Sequence, residues 1–216
     1  MVSETLKRAP EILAPVAVVY DQRVKQFGAQ AKGVYWSNRS NQLLRFKILT
    51  TLFGEDAVNG DFSVNDFGCG YAAFHTYLKK LKMKQPFRYF GIDISEEMIK
   101  KAESRVNDPN ARFTQALIAH HTADYTVASG TYSMMIDTPL EEWEAYIRAS
   151  LVDLWSQTRK GLGFNILQLG SMPEGGSLYT AESGPYVEFC KRELSPNVEL
   201  LDAYHPNEWC IFVRRE

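Results

Sequence analysis

Val64-Asn65-Asp66-Phe67-Gly68-Cys69-Gly70-Tyr71-Ala72 is an apolar strand that runs into a carboxylate and then into a Gly-x-Gly turn. That order constrains the chain more than any other feature, because it describes a strand-to-helix turn of the nucleotide-binding type. Glycine at 68 and 70 lets the backbone turn sharply and lets a ligand approach main-chain atoms that a side chain would shield. With Ala73, the spacing also fits the dinucleotide fingerprint G-x-G-x-x-A. Two ligand classes are open at this point, a pyrophosphate cofactor and something else.

Asp66 bears on the choice. A pyrophosphate at such a turn relies on backbone N–H groups and the positive end of the following helix, and a carboxylate beside it sets like charge against like. S-adenosylmethionine carries a sulfonium and an ammonium instead, which an acid attracts. Asp66-Phe67-Gly68-Cys69-Gly70 resembles motif I of the class I S-adenosylmethionine-dependent methyltransferases, an acid, any residue, then Gly-x-Gly. A second apolar run, Phe87-Arg88-Tyr89-Phe90-Gly91-Ile92, ends in Asp93. An acid at that strand tip accepts hydrogen bonds from ribose hydroxyls in both Rossmann-like families, so it supports an adenosine ligand without separating the two.

The order of elements agrees. Strands are expected near 62–67, 87–92, 111–115, 123–129 and 161–169, alternating with helices near 71–82, 96–106, 141–158 and 183–193. Alternation of this kind implies a parallel, doubly wound α/β sheet with helices on both faces. Trp143, Tyr146, Ile147, Leu151, Leu154 and Trp155 recur at helical intervals and read as core. Two β-rich runs, 197–204 and 208–214, are separated by too few residues for a crossover and read as an antiparallel hairpin. The resemblance covers about residue 41 to the end, and implies a mostly parallel seven-stranded sheet closed by that hairpin. Residues 1–40 are expected to be an N-terminal helical segment or lid, in which Pro10 and Pro15 interrupt any long helix, and 41–216 a single Rossmann-like domain.

Composition narrows the partners. The 24 basic and 26 acidic residues leave a net charge of −2 and no basic arm, which speaks against nucleic acid. No apolar run reaches the roughly 20 residues of a membrane span, and the first residues lack a signal peptide's pattern. A soluble, cytoplasmic monomer or homodimer is expected. Cys69, Cys190 and Cys210 are odd in number and far apart, and the four histidines lack ligand spacing, so neither a disulfide framework nor a metal site is anticipated.

The resemblance implies that Gly68 and Gly70 border the methionine and ribose portions of the cofactor beside Asp66, while Asp93 and Ile94 meet ribose and adenine. Gln115 and Ala116, after the third strand, would face the adenine amino group, although no acid stands there. Ser129 matches the fourth-strand end beside the sulfonium. Arg45 resembles the arginine with which some small-molecule methyltransferases grip the cofactor carboxylate, a task suited to a guanidinium. Tyr35 and Trp36 would lid the same pocket. Transfer from a sulfonium is an in-line displacement, governed by alignment and exclusion of water. His120, His121 and Tyr132 are the candidates should the acceptor have to lose a proton. The Pro-Pro-aromatic tetrapeptide of DNA amino-methylating enzymes is absent after Ser129, which points to a small-molecule acceptor, with Tyr35, Tyr132 and Tyr179 as its contacts. Transfer to oxygen or nitrogen of a metabolite is the expected function. The competing readings are an NAD(P)-dependent oxidoreductase and a non-catalytic S-adenosylmethionine-binding protein.

Overall fold

Strands that are covered on both faces must be apolar on both, and β8 shows how this chain satisfies that demand. Trp209, Ile211 and Val213 enter one core, while Cys210 and Phe212 enter the other, as the two-residue period of a strand requires. A computed structural model describes residues 3–30, 39–171 and 176–215. Its elements are α1 (Glu4–Lys7), α2 (Ala9–Phe27), α3 (Arg39–Thr51), α4 (Asp56–Asn59), β1 (Ser63–Phe67), α5 (Ala73–Leu78), β2 (Arg88–Asp93) and α6 (Glu96–Arg105). There follow β3 (Ala111–Gln115), β4 (Ala123–Ala128), α7 (Leu140–Ser156), β5 (Thr158–Gln168), β6 (Thr180–Ala181), α8 (Ser183–Glu193), β7 (Val198–Leu201) and β8 (Glu208–Arg214).

The sheet runs β3-β2-β1-β4-β5-β8-β7. β1 to β5 are parallel, and β8 is antiparallel to both β5 and β7, so the expected architecture is present. The seven-stranded path gains an eighth, two-residue strand, β6, beside the end of β5. Chain order reverses between β1 and β4, which opens a crevice beyond their carboxyl ends.

One core packs α1, α2, α7 and α8 on the sheet, with Trp143, Tyr146 and Leu151 of α7 against Phe164 and Ile211. The other is rich in aromatic rings from α3, α5 and the strands, among them Phe46, Phe74, Tyr89 and Tyr125. At the amino edge, Asp124 of β4 accepts hydrogen bonds from the Ser63 amide (2.8 Å) and hydroxyl (2.7 Å), and from Arg159 Nε (3.0 Å). Burial pushes its carboxyl up, but those donors outweigh burial and hold it at about 2. Asp124 thus clamps three strands at the edge away from the crevice.

The N-terminal segment departs from expectation. Pro10 and Pro15 do not break it: α2 continues for 19 residues, with Pro10 in the first turn, where no helical N–H bond is needed, and Pro15 inside. Pro15 faces solvent, so water can satisfy the Glu11 carbonyl that loses its partner. The buried stripe Ala9, Ile12, Leu13 and Val16 holds the helix on the core. Burial overrides the local propensity.

Candidate functional site

Gly68 has φ +78° and Gly70 φ +53°, the left-handed region that glycine enters without strain. At Gly68 a second constraint applies. A Cβ there would lie 2.5 Å from Thr131 Oγ1, which donates to the Phe67 carbonyl at 2.6 Å and fastens the loop after β4 onto the turn. The turn's amides point back into the protein. Those of Gly68 and Cys69 donate to the Ile92 carbonyl at 2.8 and 3.0 Å, and that of Gly70 donates to Asp93 Oδ2 at 2.8 Å. The other carboxylate oxygen of Asp93 accepts from the Ser95 amide at 2.9 Å. Asp93 therefore ties the tip of β2 to the glycine turn and to the start of α6.

Those bonds, together with the acids beside them, favour one of the ligand classes left open above. A pyrophosphate cradle requires amides aimed at the ligand, and the three in this turn are already engaged. Two carboxylates, Asp66 and Asp93, line the cavity instead. Burial pushes Asp66 up to about 7; the hydrogen bond from Tyr89 opposes the rise and the charge of Asp93 adds to it. Burial likewise pushes Asp93 up to about 6, against the Ser95 and Gly70 amides. Such carboxyls have most to gain from a cation. The donor set fits S-adenosylmethionine and opposes a dinucleotide.

The cavity occupies about 380 Å³ at the carboxyl edge, within the roughly 300–1,000 Å³ usual for small-molecule sites. Of the sequence candidates, Arg45, Asp66, Gly68, Gly70, Asp93, Ile94, Ala116 and Ser129 line it together. Ser129 Oγ is buried there with no hydrogen-bond partner among the described residues. Gln115 turns away: its amide donates to the Ile94 carbonyl at 3.1 Å, and its side chain is exposed outside the cavity lining. Arg45 carries an ion pair to Glu208, so its charge is shared with a buried carboxylate. Tyr35 and Trp36 lie outside the described residues.

The candidates for proton transfer and acceptor contact are placed elsewhere. His120 and His121 are exposed and immediately precede β4, hence at the amino edge; the His121 ring stacks on Phe90 at 4.3 Å. The crossover from β3 must run back towards the amino ends of the strands before β4 begins, and Asn65 Nδ2 of β1 donates to the His121 carbonyl at 2.7 Å on the way, which keeps these residues from the mouth. Tyr132 is 0% exposed in the core, where its hydroxyl meets Ser150 Oγ at 2.8 Å and burial raises its pKa far above the usual value. Tyr179 is 1% exposed and bonds to Tyr186 (2.8 Å) and Glu144 (3.1 Å). None of the four lines the cavity, so none is placed to touch a substrate there.

Sequence reasoning missed other lining residues: Leu13, Val16 and Tyr20 of α2, Gln42, Thr131, and His205 with Asn207 in the turn between β7 and β8. A signal for the last pair was present. β8 runs antiparallel to β5, so a tight turn leading into β8 must sit where β5 ends, at the carboxyl edge.

Comparison with known proteins agrees with this chemistry. Residues 64–153 match the family described as "Methyltransferase domain". The chain is 38% identical over 157 residues to "Putative methyltransferase Rv1506c" of Mycobacterium tuberculosis (strain ATCC 25618 / H37Rv), covering 71% of this chain and 93% of that protein. Among solved structures, magnesium protoporphyrin IX methyltransferase of Synechocystis PCC 6803, with bound S-adenosylhomocysteine, aligns over 94% of this chain and 99% of its own, with TM-score 0.64 and 14% identity. Human N-acetylserotonin methyltransferase in complex with S-adenosylmethionine aligns over 98% of this chain and 68% of its own, with TM-score 0.57 and 14% identity.

Proposed function

Since the chain belongs to the class I S-adenosylmethionine-dependent methyltransferases, we propose that it methylates an oxygen or nitrogen of a small metabolite held in the same cavity as the cofactor. One observation carries the reading. The cavity does not stop at the cofactor residues of β1 and β2 but continues past Ser129 to Leu167 at the end of β5 and to the turn at His205, with Leu13 and Val16 of α2 on its wall. The lining therefore extends beyond the residues that would hold the cofactor, on the side where an acceptor would meet the sulfonium. The two neighbours named above include small-molecule enzymes, which favours the same acceptor class.

When bound, S-adenosylmethionine supplies a methyl group on a sulfonium that a nucleophile displaces in line. The protein's residues then have three tasks. Asp93, already bridging Gly70 and Ser95, presents carboxylate oxygens to ribose; Asp66 supplies negative charge beside the glycine turn; and Ile94, Ala116 and Met98 offer apolar contact to an adenine ring. Arg45, anchored by Glu208, and Ser129 border the amino-acid end. Leu13 and Val16 help exclude water, which sharpens alignment.

To test the acceptor class, the protein is incubated with methyl-tritiated cofactor and a cell extract split into small-molecule and macromolecular fractions. Label is expected in the small-molecule fraction. Label confined to nucleic acid or protein would overturn the reading.

Cofactor binding should also depend on pH. With free-protein values of about 7 for Asp66 and about 6 for Asp93, both carboxyls are partly protonated in mildly acidic solution. A cation favours their charged forms and lowers both pKa values in the complex. Affinity for S-adenosylmethionine is therefore expected to rise as pH climbs from about 5 through about 7 and then level off, with protons released on binding. Calorimetry in buffers of different ionisation heat measures that release. A flat affinity across this window would place the cation away from these acids.

A further inference from the structure

The half of the cavity beyond the β4 tip has a chemistry of its own. Its walls include Met134, Tyr146 of α7, Leu167 and Leu178, interrupted by the polar side chains of Ser133, His205 and Asn207. Among the described residues that line the cavity, the carboxylates are Asp66 and Asp93, at the tips of β1 and β2, and the guanidinium of Arg45 is already bound to Glu208. An ammonium entering the far half meets no carboxylate, and an anion meets a cation whose charge is neutralised. Either would lose its hydration without compensation.

The polar atoms there are specific in kind. Ser133 Oγ is buried without a hydrogen-bond partner among the described residues, a state that a ligand atom relieves. His205 Nδ1 accepts the Asn207 amide at 3.1 Å. A lone pair that receives an N–H is not open to a proton, so the ring hydrogen sits on Nε2, which donates. Building on the small-molecule reading above, we propose that this half receives an uncharged, largely apolar acceptor carrying a hydroxyl, carbonyl or amide oxygen. His205 determines specificity as a hydrogen-bond donor to that oxygen, and does not act as the base.

The test uses protein saturated with S-adenosylhomocysteine and matched naphthalene probes: 2-naphthalenemethanol, 2-naphthylmethylammonium, 2-naphthoate and 2-methylnaphthalene. Titration followed by ligand-observed NMR is expected to rank the alcohol about tenfold or more above both charged probes. His205→Phe should weaken the alcohol by roughly fivefold and leave the hydrocarbon unchanged, a split that a merely structural role would not produce. Equal or tighter binding of a charged probe, no binding of any probe, or an equal loss for alcohol and hydrocarbon in His205→Phe would overturn the inference. Label found only in macromolecules would overturn the small-molecule reading instead, so the two failures are separable.

Discussion

Glu208→Ala is expected to destabilise the fold by about 3–5 kcal/mol, the usual cost of removing one partner from a buried ion pair. Glu208 is 2% exposed at the start of β8 and gathers three donors: Arg45 of α3, the Tyr204 hydroxyl at 2.9 Å and Asn165 Nδ2 at 3.4 Å. Without it, the Arg45 guanidinium, whose side chain is 12% exposed, stays buried with its main counter-charge gone. The damage should reach the site, because Asn165 Oδ1 also accepts the Gly130 amide at 2.9 Å and so holds the loop beside Ser129. Glu208→Gln, which keeps the shape and some of these bonds, should cost less. Urea unfolding measures both. A loss under about 1 kcal/mol for the alanine variant would mean that water satisfies Arg45 and that the pair is effectively a surface bridge.

Asp93→Asn should weaken S-adenosylhomocysteine by about 1–3 kcal/mol, equivalent to roughly 5- to 150-fold in Kd, although the substitution removes no atom of bulk. The carboxylate accepts the Gly70 amide on one oxygen and the Ser95 amide on the other. Asparagine has a single acceptor oxygen, so one amide must face an NH₂ group. The glycine turn and the start of α6 can then no longer be held together, and an acceptor for ribose is lost as well. The folded state should be less affected than binding, because replacing a carboxyl that burial has pushed up to about 6 also removes a buried charge above that pH. Calorimetry on the folded variant checks the loss. Unchanged affinity would show that Asp93 organises the turn without meeting the cofactor.

The parts of the site that lie within one strand-helix-strand unit were legible. Asp66, Gly68, Gly70 and Asp93 are placed by local geometry: each ends or follows a strand, and a parallel sheet puts such residues at one edge. The terminal pair was legible for a similar reason, since a short connection forbids a crossover. Elsewhere, position along the chain was a poor guide to depth. Tyr132 and Tyr179 lie close in sequence to the lining residues Thr131, Ser133 and Leu178, yet their rings enter the core and bond there. His120 and His121 fell away from the carboxyl edge, because they stand before a strand and not after one.

The sequence by itself determined the alternation that makes a doubly wound sheet, the carboxylates at the tips of β1 and β2, and the glycine turn between them. These follow from period, propensity and the positive φ that glycine tolerates. Only the tertiary structure decided what surrounds that turn. It carried α2 through Pro15 to lay Leu13 and Val16 along the cavity wall, and it brought Glu208 across most of the chain to Arg45. It also swung His205 to the far end of the pocket. Each of those placements depends on which buried faces meet, and burial energy is a property of the packed pair that neither segment carries alone.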